Sequence, residues 1–267
     1  MKLSRREFLK VAGVTTSAAF LTGSTLLTGD ERLVEEKDRP YDQWRTDFDA
    51  QWGMVIDLAK CDGCTDKDVP RCTQACIDGH YTPDEHEYIK VFEMVHEEAK
   101  STSFFPRPCQ QCKEPPCVHV CPVSAAWKRD GDNLTLIDHD RCIGCRLCMA
   151  ACPYEVRFFF WEKNPKADDI PDEAYDRQMP FTLVRDQGIT GKCEFCGLQF
   201  EGKLPHCVSS CDEGALYFGN ILENAMTNSD GDTILLDKTL KERAGFRWKE
   251  EEGTKPRVFY LPATEEK

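Results

Sequence analysis

The residues able to do chemistry in this chain are its thiols. Sixteen cysteines in 267 residues form four groups: Cys61, Cys64, Cys72 and Cys76; Cys109, Cys112, Cys117 and Cys121; Cys142, Cys145, Cys148 and Cys152; Cys193, Cys196, Cys207 and Cys211. Each group begins C-x2-C and ends C-x3-C, and only the middle gap varies, from two residues in the third group to ten in the fourth. No cysteine is left over.

The third group, C-I-G-C-R-L-C-M-A-A-C-P from Cys142 to Pro153, has the spacing of the bacterial ferredoxin run for a 4Fe-4S cluster. Three cysteines on one tight loop can each aim a thiolate at a different iron, and the short separations keep the loop-closure entropy small. Gly144 eases the turn. The fourth cysteine follows one helical turn later, about 6 Å from Cys148 along a helix axis, and in two-cluster ferredoxins that thiol serves the other cluster. One such run therefore predicts partner runs, and four groups of four point to four clusters.

Competing readings of these thiols are weaker. Paired C-x2-C units also mark structural zinc, and on the first and fourth groups alone zinc is a real alternative. The two-residue gaps of the third group, with Cys-Pro at Cys121-Pro122 and Cys152-Pro153, favour iron-sulfur. No C-x-x-C-H for covalent haem occurs, and no C-x-x-C pair is free for dithiol redox work, since each belongs to a set of four. His206 precedes Cys207 and is read as a surface or outer-shell histidine; His119 and His139 receive no role. No Ser-His-Asp set, phosphate-binding glycine loop or catalytic carboxylate pair emerges. The chain is expected to carry electrons without converting a substrate of its own.

The elements that hold the loops repeat. Gly53 to Cys61 reads as a strand entering a ligand loop. Its Ile56-Asp57 recurs as Ile137-Asp138, each the same distance before a C-x-G-C. Strands are also expected after the last cysteine of a group, at Ala125–Lys128, Val156–Trp161 and Ala215–Phe218, with a hairpin turn at Asp130-Gly131-Asp132-Asn133. The unit is a strand, a ligand loop, a short helix and a strand. The Phe158–Trp161 run is read as a buried strand packed on a cluster in preference to a docking patch. Cysteine-free segments 77–108 and 162–192 look like elaborations over the core, and the tail carries an amphipathic stretch around Leu235–Ala244 and an apolar run, Val258–Leu261.

Ser4-Arg5-Arg6-Glu7-Phe8-Leu9-Lys10 form a twin-arginine export signal ahead of a mildly apolar segment, Val11–Thr28. That segment is short for a bilayer span and reads as a signal peptide. Export would otherwise favour disulfides, but this route carries proteins already folded around their cofactors, so export and metal agree. The whole chain carries a net charge of −13; without 1–29, which holds four basic residues and one acidic one, the balance is −16. Nucleic acid is not expected as a partner, and the acidic surface reads as a solvated face.

With Cys109-Gln110-Gln111-Cys112-Lys113-Glu114-Pro115-Pro116-Cys117, Cys142 to Tyr154, Lys192-Cys193-Glu194-Phe195-Cys196 and the tail Gly253 to Leu261, the chain resembles the four-cluster iron-sulfur subunits of complex iron-sulfur molybdoenzymes and their relatives. This family includes the electron-transfer subunits of dimethyl sulfoxide, polysulfide and tetrathionate reductases. The signal and the Cys142–Trp161 wording look closest to the periplasmic iron-sulfur subunit of DsrMKJOP complexes.

The resemblance implies an α+β fold of tandem bacterial-ferredoxin-like lobes with loop insertions, related by a pseudo-twofold. It implies four 4Fe-4S clusters bound crosswise: Cys109, Cys112, Cys117 with Cys152; Cys142, Cys145, Cys148 with Cys121; Cys61, Cys64, Cys72 with Cys211; and Cys193, Cys196, Cys207 with Cys76. The expected organisation is a signal peptide (1–29), a linker or strap (30–52), the first half of an outer lobe with an insertion (53–108), an inner two-cluster lobe (109–161), an insertion with the second half of the outer lobe (162–219), and a tail packed on the lobes (220–267). The implied partners are a membrane quinone-reactive subunit and a molybdopterin or multihaem redox subunit, on the periplasmic or outer face of the cytoplasmic membrane. A beta subunit of a soluble periplasmic molybdopterin enzyme is the alternative, and a zinc-stapled scaffold the alternative of another class. The first group departs from the pattern, with seven residues between Cys64 and Cys72, and neither Cys76 nor Cys211 precedes proline. The outer-lobe clusters are where nuclearity or potential would differ.

Overall fold

The computed structural model describes residues 50–97, 100–171, 187–198 and 202–263, all within one compact unit, 46–267. The expected export signal, Trp44 and Phe48 lie outside the described residues.

A five-stranded sheet carries the fold. β1 (Trp52–Asp57) is its Val/Ile-rich member; β2 (Ile89–His96) and β3 (Ser101–Pro108) form a separate hairpin, as do β4 (Ala126–Lys128) and β5 (Thr135–Ile137), while β6 (Phe158–Phe159) pairs with β7 (Thr190–Gly191). The large sheet adds β8 (Leu216–Asn220), β9 (Ala225–Thr227), β10 (Thr233–Leu235) and β11 (Val258–Leu261) in the order β10-β9-β8-β1-β11. β1 runs antiparallel to β8 and parallel to β11, with Met54 opposite Phe218 on one side and Val258 on the other. Burial on both faces explains its unbroken apolar run: Met54, Val55 and Ile56 are all fully buried. Val55, Tyr217, Met226, Leu236, Phe259 and Leu261 make one core, each side chain contributing about 1.5–3 kcal/mol by leaving water.

Helices are short and carry cysteines. α1 (Arg71–His80) holds Cys72 and Cys76, α2 (Pro116–His119) holds Cys117, α3 (Leu147–Ala150) holds Cys148 and α4 (His206–Ser209) holds Cys207. α5 (Leu236–Glu242) lies in the tail. Pro70, Pro115 and Pro205 stand at the N-caps of α1, α2 and α4, where a missing N–H costs nothing because helix starts leave their N–H groups unpaired.

The repeated Ile-Asp phrase has a structural counterpart. The Asp57 N–H donates to the Ala215 carbonyl at 2.8 Å, and the Asp138 N–H donates to the Ala125 carbonyl at the same distance. The strand entering the first cysteine group thus pairs with the strand leaving the fourth, as the strand entering the third pairs with the one leaving the second. The turn at Asp130–Asn133 joins β4 to β5, with Gly131 at φ 93° and Asn133 at φ 57°, the left-handed conformations a tight hairpin requires.

Three expectations are corrected. The Val156–Trp161 run is a strand only at Phe158–Phe159, and while Phe160 is buried, Trp161 is 68% exposed; the segment crosses from core to surface within two residues. Segment 77–108 holds two eight-residue strands that sequence reading left unassigned, because their mixed charged and aromatic content shows no clean alternation. β1 begins at Trp52, one residue inside the expected linker, and the Trp52 ring stacks on Phe218 at 5.6 Å.

Candidate metal centres

The same backbone device opens all four cysteine loops. The residue before the second cysteine of each C-x2-C is left-handed: Gly63 (φ 69°), Gln111 (φ 44°), Gly144 (φ 67°) and Phe195 (φ 61°). This bend turns two thiols toward one point. Where neighbours crowd the bend, glycine is required. A Cβ on Gly144 would lie 2.0 Å from the Gly188 carbonyl oxygen, and one on Gly63 would lie 2.2 Å from the Phe104 ring. In the other two loops contacts hold the strained conformation. Gln111 accepts from Thr135 N at 2.8 Å and donates to the Cys193 carbonyl at 3.0 Å; Phe195 packs edge-on against Phe218 at 5.4 Å.

Two cavities open inside these loops. One is lined by Cys109, Cys112, Cys117 and Cys152, with Tyr154 and Arg157. The other is lined by Cys121, Cys142, Cys145 and Cys148, with Thr190 and Arg146. In each, three thiols from one group meet the last thiol of the other.

The charges that act on the remaining eight show which of them lie near one another. Burial pushes the Cys72 thiol up to about 12, and the nearby Cys61, Cys64 and Cys211 thiols add to the shift. Burial raises Cys76 far above the ordinary thiol value, with Cys196, Cys193 and Cys72 near it. Cys207 is raised by burial and by Cys196, Cys76, Cys193 and Cys72. Cys193, pushed up to about 12 by burial, also faces Cys109, so the fourth group touches the second. All sixteen cysteines are free of disulfides. Among the described residues no three His, Cys, Asp or Glu side chains converge on a point as they do around one ion; the inner thiols surround cavities instead. Thiols gathered in fours, nine of the sixteen buried, suit a polynuclear iron-sulfur group whose irons take up the thiolate charge.

Comparison with known proteins agrees. Residues 100–170 match the 4Fe-4S dicluster domain. The chain is 36% identical to one of the subunits of selenate reductase in Mesobacillus selenatarsenatis, over 80% of this chain and 72% of that protein. It is 32% identical to the menaquinone reductase iron-sulfur cluster-binding subunit of Nitratidesulfovibrio vulgaris, over 82% of this chain and 91% of the relative. One of the subunits of tetrathionate reductase in Salmonella typhimurium is 32% identical, over 98% of this chain and 89% of that protein. The chain belongs to the family of 4Fe-4S iron-sulfur subunits of reductase complexes.

Several groups in this iron-sulfur subunit's centres escaped sequence reading. His80 Nε2 lies 3.2 Å from Cys196 Sγ and meets His206 edge-on at 5.6 Å. Thr190 Oγ1 stands 3.5 Å from Cys148 Sγ and 3.7 Å from Cys142 Sγ. The Ala126 and Ala215 N–H groups each donate to the last thiol of the preceding group, Cys121 and Cys211, at 3.4 Å. The tail braces the second loop: Lys113 N and Glu114 N donate to the Lys255 and Thr254 carbonyls at 3.0 Å, and Arg257 Nε donates to the Gln111 carbonyl at 2.6 Å. Tail and loop are separated by more than a hundred residues of chain, so spacing carries no signal for these contacts. His119 and His139 lie outside the lining of both cavities.

Proposed function

We propose that the chain is an exported electron relay holding four 4Fe-4S clusters in two ferredoxin-like lobes. The observation that carries this reading is the crosswise lining of the two cavities, three thiols from one loop and the fourth from its partner, which is the two-cluster ferredoxin pattern. In this reading Cys109, Cys112, Cys117 and Cys152 hold one cluster, and Cys142, Cys145, Cys148 and Cys121 the next. Cys193, Cys196, Cys207 and Cys76 hold the third, and Cys61, Cys64, Cys72 and Cys211 the fourth. The matched backbone bonds at Asp57 and Asp138 support a pseudo-twofold between the outer lobe, made from 53–108 and 162–219, and the inner lobe, 109–161.

The clusters supply one-electron exchange; the protein supplies order and insulation. Cys72 and Cys76 leave one helix toward different quartets, Cys193 faces Cys109, and Cys117 and Cys121 leave one turn toward different cavities. The quartets therefore follow one another in a line, first group, fourth, second, third. Every electron that enters leaves again, so protons and bond changes belong to the partners. The line reaches the surface at the third group. Cys145 is exposed, and Ile143, Leu147 and Trp161 around it are 64%, 49% and 68% exposed, with Arg146 stacked over Trp161 at 4.8 Å. An apolar rim with one cation on an acidic protein suits a partner subunit.

The partners in this reading are a quinone-reactive membrane subunit and a molybdopterin or multihaem subunit, at the outer face of the cytoplasmic membrane after twin-arginine export. Among the described residues no helix is long and apolar enough to cross a membrane; in this reading attachment runs through partners. Metal and sulfide analysis of anaerobically purified protein tests the reading: about sixteen irons and negligible zinc are expected if each thiol quartet holds a cubane. Zinc with little iron sinks it.

A further inference from the structure

Arg157 is a buried cation set between the two inner thiol quartets. It is 6% exposed and lines the cavity of Cys109, Cys112, Cys117 and Cys152, while its charge also acts on Cys148, a lining thiol of the other cavity. Burial works against that charge, and the thiols of Cys117, Cys148 and Cys109 favour it.

Its hydrogen bonding is incomplete. Neither Nη1 nor Nη2 reaches an acceptor with hydrogen-bond geometry, although the guanidinium lies against Cys117. A buried carboxylate nearby, Glu194, is engaged elsewhere, accepting from Ile137 N at 3.1 Å with Lys192 as its strongest cationic neighbour. A buried guanidinium with two idle donor nitrogens is costly, since an unmade hydrogen bond from a charged group costs more than one from a neutral group. Such an arrangement persists where an anionic acceptor joins the site.

We propose that Arg157 donates hydrogen bonds to the cluster beside Cys117 and, as the fixed charge shared by both inner quartets, raises the reduction potential of the inner pair. This rests on the four-cluster reading above. A positive charge beside a cluster stabilises the form with the added electron, and donors to its sulfurs act in the same direction. The thiols that act on Arg157 all belong to the inner quartets, so the inner pair should be raised selectively. Arg157 is a tuning residue in this proposal; it transfers nothing itself.

The test is a redox titration, followed by electron paramagnetic resonance, of the anaerobically purified holoprotein and of R157Q and R157K, with iron counted in each. In R157Q the inner-pair potentials should fall, by at least a tenfold drop in the reduced-to-oxidised ratio at fixed potential, about 59 mV for a one-electron couple. The outer pair should stay put, and R157K should recover most of the shift. Full iron with unchanged inner potentials in R157Q overturns the proposal and leaves the four-cluster reading standing; absence of iron from the wild type overturns both. A second measurement needs no variant to fold. With 15N-arginine labelling, the reduced inner clusters of the wild type should show a nitrogen hyperfine coupling, and its absence overturns the hydrogen bonds.

Discussion

Arg243, at the end of α5, grips Asp57, at the end of β1, through both carboxylate oxygens, one of them at 3.1 Å. Asp57 is 1% exposed, and its Oδ1 also accepts from Ala59 N at 3.1 Å, two residues before Cys61. The tail therefore fixes the loop that opens the first cysteine group. Removing the carboxylate in D57A leaves a partly exposed guanidinium and a turn amide without this acceptor, a loss of about 1–3 kcal/mol. Thermal unfolding of the holoprotein should shift downward, and iron should leave the outer quartets first under a chelator challenge. Equal release from all four quartets would count against this role.

Thr190 places one hydroxyl between Cys142 and Cys148. Valine preserves its shape and removes the hydroxyl. T190V should keep full iron and lower the potential of the third-group cluster alone, because a dipole near its sulfurs has gone. A titration in which that potential is unchanged refutes the contact's role.

Cys152 is the last cysteine of the third group in sequence, yet it lines the cavity of the second. C152S should therefore perturb the spectrum of the cluster held by Cys109, Cys112 and Cys117, while the cluster of Cys142, Cys145 and Cys148 keeps its signature. The reverse outcome in Mössbauer or paramagnetic resonance spectra would show ligation within each run.

Gln111 holds its loop in a left-handed turn and accepts the buried Thr135 N–H. Q111A strands that amide, a penalty of about 1–3 kcal/mol, and removes one of two donors to the Cys193 carbonyl, which keeps Lys192 Nζ at 3.0 Å. The variant should show a lower unfolding midpoint and incomplete iron loading; a wild-type midpoint would mean that Ala at this φ is held by the surrounding loop alone.

For export, Arg5 and Arg6 replaced together by Lys should trap folded precursor in the cytoplasm, read by cell fractionation. Unchanged periplasmic yield counts against the signal.

The sequence by itself determined the chemistry: sixteen thiols in four sets, the third with ferredoxin spacing, and a repeated Ile-Asp strand before two of the loops. Local rules suffice there, because a tight loop needs its ligands and its turn residue within a few positions. It also marked the apolar tail run, although not that Val258–Leu261 inserts parallel to β1. Tertiary structure alone decided what reaches each loop from afar. Arg157 shows no special spacing, and only packing reveals it as a buried charge with idle donors. Gln111 and Phe195 stand where the other loops use glycine, and the contacts that hold their left-handed turns come from β5 and β8. Spacing along a chain constrains ligands that share a loop, whereas the charges and donors that set a centre's properties act through space.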